Sequence, residues 1–289
     1  YILTCEKEFF VMALKLVIDS SADLTHADVD ENVEILPIPV FIDGKEYLPF
    51  INLTNEDFYR LQKEAKELPK TVQVPFNLLY KTFKEEILKG NEVVAIFIAS
   101  KLSGTYSSAC AVREQLVDEL GEEVREKLFI IDSLTVTYPL GALCLEAYKM
   151  LKNGSSAKEV FERINYLVPR LKMSAFIKDL TYLKKGGRIS GASAAVAGIL
   201  SIKPVIKVED GVLTTTNKER GLNNAMKRVC ETALNSDIDY SLPCYLGYTS
   251  DKETGDILLS FVEKLTNIKI EKVISIGPTV GAHAGPGCT

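Results

Sequence analysis

The sequence predicts an α/β fold with two α/β domains and a mainly parallel sheet in the first. Residues 14–25, 93–117 and 128–151 each begin with an apolar, β-branched run, continue through a short polar loop and end in apolar residues at helical spacing. Alternating strands and helices are typical of a parallel sheet with right-handed crossovers. A chain of 289 residues, 46% of them hydrophobic, can bury a core in each of two domains.

Local signals predict the other elements of the first domain. Residues 33–41 alternate and contain two prolines, which predicts an edge strand because proline cannot donate to a sheet ladder. Asp43-Gly44 predicts a hairpin turn. Thr54 predicts the N-cap of a helix over residues 55–68, and residues 70–75 are predicted to be extended.

Residues 153–156, Asn-Gly-Ser-Ser, interrupt this pattern and predict a domain boundary. We therefore expect an N-terminal α/β domain over residues 14–153 and a C-terminal α/β domain over residues 154–289. Residues 1–13 contain no segment suited to a signal peptide or a membrane helix, so we interpret them as a tag or non-native leader. The second domain is predicted to contain helices over 157–168, 219–234 and 252–266, strands over 171–177, 243–249 and 269–276, and a hairpin turn at Asp210-Gly211.

Composition and charge argue against several classes of function. The formal net charge is −5, with acids and bases mixed along the chain, which argues against a nucleic-acid partner. Six cysteines form no CxxC pair and lie mostly in apolar segments, so we interpret them as reduced thiols of a cytoplasmic protein. Two histidines without metal-ligand spacing predict no metal site, and we expect no cofactor.

The loop after the strand at residues 93–99 is the first candidate binding site. Ser103-Gly104-Thr105 offers two hydroxyl groups, a glycine that permits close backbone approach, and the free N–H groups of a helix start. These groups suit a carboxylate or a phosphate, at the sheet edge where α/β proteins usually bind ligands. The alternative is an ordinary N-cap and tight turn.

Two further stretches have unusual composition. Residues 188–200 have the length of a helix but are almost all small, so they either pack tightly on a neighbour or leave room for a ligand. Residues 277–287 place four glycines and two prolines around His283, which predicts a fixed loop after a strand. The imidazole of that loop either faces a ligand or has a structural role.

Five motifs indicate a family resemblance. In order along residues 14–289 they are LVIDSSADLT, KTVQVP, SKLSGTYSSA, LKKGGRIS and GPTVGAHAGPG. Their order and spacing resemble the DegV family, whose members are two-domain proteins that act as fatty-acid-binding subunits of the bacterial fatty acid kinase. The resemblance implies a lipid-binding subunit, not an enzyme, that presents the carboxylate of one long-chain fatty acid to a separate ATP-dependent kinase. The acyl-phosphate product would enter phospholipid synthesis.

The resemblance also assigns roles to residues. It implies that Thr71, Ser103 and His283 bind the fatty-acid carboxylate, with Gly104 and Thr105 as further members of the head-group loop. We expect these residues to meet in the cleft between the two domains. Neutral donors would hold the carboxylate without an arginine ion pair, which would leave one oxygen free to attack ATP.

The acyl chain supplies most of the expected affinity, at roughly 0.8 kcal/mol per buried methylene. The small-residue segment would make room for a tunnel in the C-terminal domain, with walls formed by Ile189, Val196, Ile199 and Leu200. The family more often has serine where this chain has Val72. One hydroxyl group is therefore missing from the expected head-group loop.

Lys218 and Arg220 are candidates for a surface that docks the kinase. They lie at the predicted start of the helix over residues 219–234, whose apolar stripe would turn them outward. The alternative is a solvated helix start with no partner.

Two other functions remain open from the sequence. A serine hydrolase would use Ser103, His283 and an acid such as Asp19, although Ser103 lies in LSGT and not in a G-x-S-x-G elbow. A phosphate- or nucleotide-binding enzyme would use Ser-Gly-Thr at a helix start, although the chain contains no G-x-x-x-x-G-K-[ST] motif.

Overall fold

The computed structural model describes residues 13–189 and 202–289. Most of the predicted leader and the predicted tunnel residues Val196, Ile199 and Leu200 lie outside the described residues. The strands are β1 (Leu14–Asp19), β2 (Val33–Leu36), β3 (Val40–Ile42), β4 (Lys45–Tyr47), β5 (Lys70–Thr71), β6 (Glu92–Phe97), β7 (Leu128–Asp132), β8 (Ser174–Phe176), β9 (Ile202–Glu209), β10 (Val212–Arg220), β11 (Cys244–Tyr248) and β12 (Ile270–Ser275). The helices are α1 (Asn55–Glu64), α2 (Phe76–Leu88), α3 (Thr105–Leu120), α4 (Val124–Lys127), α5 (Tyr138–Lys152), α6 (Ala157–Leu167), α7 (Thr181–Lys185), α8 (Leu222–Leu234), α9 (Lys252–Leu265) and α10 (Pro278–Ala284).

A four-stranded parallel sheet dominates the N-terminal part of the chain, residues 13–170, and confirms the predicted fold class. Its strand order is β2-β1-β6-β7, and each pairing is parallel. Helices α2, α3, α5 and α6 pack against these strands and bury the apolar side chains of β1 and β6 in the main hydrophobic core. Because the strands are parallel, the loops that follow β1, β6 and β7 all lie at one edge of the sheet.

The predicted edge strand over residues 33–41 is wrong in one respect: it forms two strands in different sheets. β2 ends before Pro37 and β3 begins after Pro39. β2 is an edge strand of the parallel sheet, whereas β3 lies between β4 and β5 in a small antiparallel sheet. Two prolines within three residues remove two backbone donors, so the ladder cannot continue. The second sheet thereby fixes Thr71, the last residue of β5.

The C-terminal part, residues 171–189 and 202–289, contains an antiparallel sheet of order β10-β9-β8 and the parallel pair β11-β12. The predicted hairpin between β9 and β10 is confirmed. Asp210 and Gly211 have φ angles of 49° and 76°, and a hairpin turn of this kind requires positive φ at both positions.

The start of the helix predicted at residue 219 is wrong, because β10 continues to Arg220 and α8 begins at Leu222. Lys218 pairs with Pro204 and Arg220 with Ile202 across the β9–β10 ladder. Pairing in the long hairpin therefore keeps residues 219 and 220 in a strand, although the apolar periodicity predicted a helix there. Both basic side chains are exposed, but on a strand and not at a helix start.

The loop predicted over residues 277–287 is also corrected, because it contains the helix α10. Pro278 is its first residue, a position at which no N–H is needed. A Cβ atom at Gly281 would lie 2.6 Å from Tyr59 Oη and 2.8 Å from a ring carbon of Phe58. The glycine thus allows α10 to approach α1 closely, and His283 is carried by a helix.

The helix α6 packs against β6 and β7 although it follows the predicted boundary at residues 153–156. The division into two domains stays a prediction. No helix in the described parts of the chain is long and apolar enough to cross a membrane. Residues 13–189 and 202–289 also contain no group of His, Cys, Asp and Glu side chains suited to a metal ion.

Candidate functional site

A largely apolar cavity lies between the N-terminal and C-terminal parts. Its volume is about 80 Å³, and its lining is mostly aliphatic with a few polar side chains, as is usual for small-molecule sites. Both parts of the chain contribute to its lining. The lining includes Thr71, Leu102, Ser103 and Thr137 from the N-terminal part, and Met173, Ala175, Ile177, Arg188, Ile206, Leu213, Thr279 and His283 from the C-terminal part.

One side of the cavity, which we name the β8–β10 wall, consists of aliphatic side chains on and beside three strands. Alternate residues of a strand share a face, and three alternate residues around β8 line the cavity together with one from β9 and one from β10. They are Met173, Ala175, Ile177, Ile206 and Leu213. The pairing of Ala175 with Ile206 fixes their relative positions. Such a surface attracts hydrocarbon without imposing a direction on it.

Thr71 and His283 form the central polar contact of the cavity. The hydroxyl oxygen of Thr71 lies 2.8 Å from Nε2 of His283, and the donor in this hydrogen bond depends on the imidazole tautomer. Thr71 ends β5 in the N-terminal part and His283 belongs to α10 in the C-terminal part. Two residues that are 212 positions apart in sequence therefore meet between the two parts of the chain.

The imidazole of His283 is neutral at physiological pH. Burial, with a contribution from the positive charge of Arg188, lowers the pKa of His283 to about 4. Its Nδ1 atom lies against Gly186 and is buried without a hydrogen-bond partner among the described residues. One ring nitrogen is thus committed to Thr71, while the other is unpaired.

Ser103 lines the cavity, whereas Gly104 and Thr105 are not part of its lining. The hydroxyl oxygens of Ser103 and Thr105 are 3.1 Å apart, and Thr105 also accepts a hydrogen bond from the backbone N–H of Val74 at 3.2 Å. Thr105 is fully buried, so its hydroxyl supports the loop and does not face the cavity. Of the predicted head-group loop, only Ser103 is in position to contact a ligand directly.

Arg188 is a cavity residue to which the sequence analysis gave no role. Its Nε donates to the carbonyl oxygen of Leu102 at 3.1 Å, and Nη1 donates to the carbonyl oxygen of Gly186. No carboxylate in the described parts of the chain forms an ion pair with it. A half-buried cation that faces carbonyl dipoles and a neutral imidazole is a suitable partner for an anion.

These contacts connect four side chains, which we name the polar cluster: Thr71, Ser103, Arg188 and His283. Arg188 binds the carbonyl group directly before Ser103, and it also binds Gly186, which contacts the ring of His283. His283 in turn contacts Thr71. The three predicted residues therefore line one cavity together, and the structure adds a fourth.

The remaining predicted residues that the structure describes lie outside the cavity lining. Ile189 is partly buried, pairs with Leu213 in an isolated bridge and packs against the main core. Lys218 and Arg220 are exposed on β10. Their role in docking a partner remains a prediction.

The arrangement does not favour a serine hydrolase. In the described residues, no hydrogen bond joins Ser103 to His283 or His283 to Asp19. The Asp19 carboxylate instead accepts from the side chain and backbone of Ser21 and from the backbone N–H of Ile98. An imidazole with a pKa near 4 is also a weak general base at neutral pH.

A parallel-sheet α/β protein with an apolar cavity and one small polar cluster has the architecture that is usual for small-molecule binding sites. Over residues 13–289 the chain matches the family described as "Uncharacterised protein, DegV family". It belongs to the DegV family. A DegV domain-containing protein of Caldanaerobacter subterraneus subsp. tengcongensis is 30% identical over 278 residues, covering 94% of this chain and 95% of the relative.

Two similar crystal structures are of lipid-binding members. A stearic acid-binding protein from Eubacterium ventriosum superposes with a TM-score of 0.85 at 26% identity and covers 95% of this chain and 96% of its own. A fatty acid-binding DegV family protein from Streptococcus agalactiae superposes with a TM-score of 0.81 at 28% identity, with 96% of each chain covered. The fold of this chain is thus the fold of known fatty acid-binding proteins.

Proposed function

We propose that this protein binds one long-chain fatty acid, with the carboxylate at the polar cluster and the acyl chain along the β8–β10 wall. The observation that carries the proposal is Arg188, a half-buried cation without a carboxylate partner in the described residues, beside neutral donors in an apolar cavity. The fatty acid-binding members from Eubacterium ventriosum and Streptococcus agalactiae support it.

The expected free energy comes mainly from the chain. Burial of a dozen methylenes contributes on the order of 10 kcal/mol before the costs of association. A hydrogen bond to a charged oxygen contributes about 1.5–3 kcal/mol. The polar cluster therefore determines where the carboxylate lies, while the wall supplies most of the affinity.

Arg188 changes the expected chemistry of the head group. The sequence predicted neutral donors alone, but the guanidinium adds a positive charge within the cluster. Two of its N–H groups are already committed to the carbonyls of Leu102 and Gly186, so it is oriented by the protein and not by the ligand. Ser103 and Thr71 offer neutral donors, and one carboxylate oxygen can remain free to react.

We further propose that a separate ATP-dependent kinase uses this free oxygen. The oxygen would form a bond to the γ-phosphorus of ATP, and the bond from that phosphorus to ADP would break, giving acyl-phosphate and ADP. The resemblance of the five sequence motifs to the lipid-binding subunits of fatty acid kinases supports this role. Such a subunit would act in the cytoplasm.

Native mass spectrometry of the full chain purified from a bacterial host tests the binding proposal. We expect the mass of one fatty acid per chain, and organic extraction should identify a long-chain acid in equal amount. Absence of a stoichiometric fatty acid, together with no uptake of added palmitate or oleate, would contradict it.

Incubation with ATP and fatty acid tests whether phosphoryl transfer requires a separate kinase. We expect no acyl-phosphate, trapped as the hydroxamate, from this chain alone, and formation of acyl-phosphate once a fatty acid kinase subunit is added. Formation without a kinase would show that the chain is itself an enzyme.

A further inference from the structure

The motif that follows β1 connects the N-terminal part to α10. Asp23 is only 6% exposed, and both of its carboxylate oxygens accept hydrogen bonds. The backbone N–H of Gly277 donates to Oδ1 at 2.9 Å, and the hydroxyl of Thr137 donates to Oδ2 at 2.5 Å. Ser20 adds a third link, since its hydroxyl oxygen lies 2.8 Å from that of Thr279. Gly277 and Thr279 lie at the start of the helix that carries His283.

The backbone around Asp23 is shaped for this contact. A Cβ atom at Gly277 would lie 2.9 Å from Asp23 Oδ1, so a larger residue there would displace the carboxylate. Asp23 and Thr137 have φ angles of 54° and 58°, which are uncommon for residues with a Cβ atom. Such conformations persist where the surrounding contacts determine them.

The helix α1 binds the same C-terminal segment through neutral groups. Asn55, Tyr59 and Gln62, which share one helix face, donate to the carbonyl oxygens of Ser275, Ile276 and Gly281, respectively. These bonds need no charge. Asp23 is the residue that adds a carboxylate to the attachment of α10.

Asp23 also lies directly behind the cavity. Its partner Thr137 lines the cavity, as does Thr279, the partner of Ser20. A movement of α10 away from the loop at residues 20–23 would therefore open the cavity between Thr137 and Thr279. The same movement would separate His283 from Thr71.

We propose that Asp23 is a positioning residue that holds α10, and with it His283, against the N-terminal part, and that rupture of its bond to Gly277 is the step that releases the fatty acid. This inference rests on the proposed fatty-acid binding. It assigns a role to the DSSAD sequence after β1, which contributes no side chain to the polar cluster.

A pH dependence with a defined sign follows from this arrangement. Burial raises the pKa of Asp23 to about 7, and the nearby charge of Asp19 acts in the same direction. Among the described residues, Asp19 and Tyr59 are the ionisable groups that interact with it. When the contact opens, water reaches the carboxylate and its pKa falls toward the ordinary value of about 3.9. The closed state therefore binds the proton more tightly, and higher pH favours opening.

Release of a fluorescent fatty acid, cis-parinaric acid, from the full chain to phosphatidylcholine vesicles measures this step. Between pH 5.5 and 7 the wild-type release rate should rise, by at most about tenfold per pH unit, and it should level off above pH 7. In Asp23→Asn the amide accepts from Gly277 and donates to Thr137, so release should be no faster than in the wild type and independent of Asp23 ionisation. Asp23→Ala loses both bonds and should release the lipid at least about threefold faster at pH 5.5.

Asp30→Asn is the matched control, because Asp30 contacts Asn32 and Lys152 within the N-terminal part. It should reproduce the wild-type profile. If Asp23→Ala does not fold, Thr137→Val removes the other hydrogen bond of the Asp23 carboxylate, whereas Thr137→Ser retains the hydroxyl that donates it. The valine variant should release the lipid faster than the serine variant. Equal pH profiles for wild type and Asp23→Asn would overturn the inference while leaving fatty-acid binding intact. A wild-type chain that takes up no lipid would instead overturn the proposed function, and the inference with it.

Discussion

The β8–β10 wall and the polar cluster line the same cavity, but different interactions hold their side chains in place. The wall presents aliphatic side chains on and beside paired strands, so strand register sets their positions. The polar cluster draws one residue each from β5, the loop after β6, the segment after α7 and α10. Hydrogen bonds to one another and to backbone carbonyls connect these residues.

Because the wall and the cluster are held differently, we expect the wall to determine the affinity for the lipid and the cluster to determine the reactivity of its carboxylate. An aliphatic wall tolerates small shifts of a hydrocarbon chain, because burial is proportional to area and has no direction. A hydrogen-bonded cluster weakens steeply when donors move by a fraction of an ångström or lose alignment. We therefore expect changes in the wall to reduce lipid retention most, and changes in the cluster to affect phosphoryl transfer more than retention.

A large side chain in the wall should have the largest effect. Ala175→Phe would fill part of the cavity and exclude three or four methylenes, which costs about 3 kcal/mol and raises the Kd for palmitate about a hundredfold. Ala175→Val adds less volume and should have a proportionately smaller effect. Competitive displacement of a fluorescent fatty acid measures both, with Tm as a check of folding. An unchanged Kd for the phenylalanine variant would show that the chain does not follow this wall.

Removal of the positive charge from the polar cluster should have the second-largest effect on the Kd. Arg188→Gln keeps a polar side chain but loses a charged hydrogen bond of about 1.5–3 kcal/mol, so the Kd should rise by roughly tenfold to a hundredfold. Lys185→Gln is the control, because it removes the same charge from a nearby exposed side chain. It should leave the Kd unchanged. Equal affinities for wild type and Arg188→Gln would mean that the carboxylate lies elsewhere.

Loss of the Ser103 hydroxyl should weaken retention less than loss of the charge. We expect Ser103→Ala to raise the Kd by about tenfold or less, because a neutral donor contributes less than a charged one. Acyl-phosphate formation with a kinase subunit should fall by a larger factor, since the carboxylate is no longer oriented. Ser107→Ala, at an exposed position of α3, provides the control. A parallel fall in binding and transfer would argue against the separation of roles.

Charge reversal outside the cavity should have the smallest effect on the lipid. Lys218→Glu combined with Arg220→Glu is expected to leave fatty-acid content unchanged and to reduce phosphorylation by a few-fold if these exposed residues of β10 meet the kinase. The same reversal at Lys264 and Lys269, exposed residues of α9 and of the segment before β12, is the control. Unaltered phosphorylation in the first pair would place the docking surface elsewhere.

The motifs that resemble the DegV family predicted three residues that line the cavity. Thr71, Ser103 and His283 were each found in a short motif, and all three line the cavity. Arg188 stands in the motif LKKGGRIS, yet nothing in that motif indicates its partners. Those partners are the carbonyl of its neighbour Gly186 and the carbonyl of Leu102, which is 86 positions away.

The glycine and proline content of residues 277–287 predicted a loop where the structure contains the helix α10. Four glycines and two prolines around His283 are typical of a loop, but Pro278 begins a helix and Gly281 allows contact with α1. A glycine required by close packing and a glycine required by a turn look the same in a sequence. Only the position of Tyr59 distinguishes them.

By itself the sequence determined the parallel sheet and the β9–β10 hairpin turn, because periodicity and turn chemistry act between neighbouring residues. The tertiary structure decided which polar groups of the distant motifs meet. The contact of Asp23 with Gly277 spans 254 positions and that of Thr71 with His283 spans 212. Contacts of this kind arise from the packing of α10 against α1 and the loop after β1, and the buried carboxylate and imidazole acquire their shifted pKa values only there.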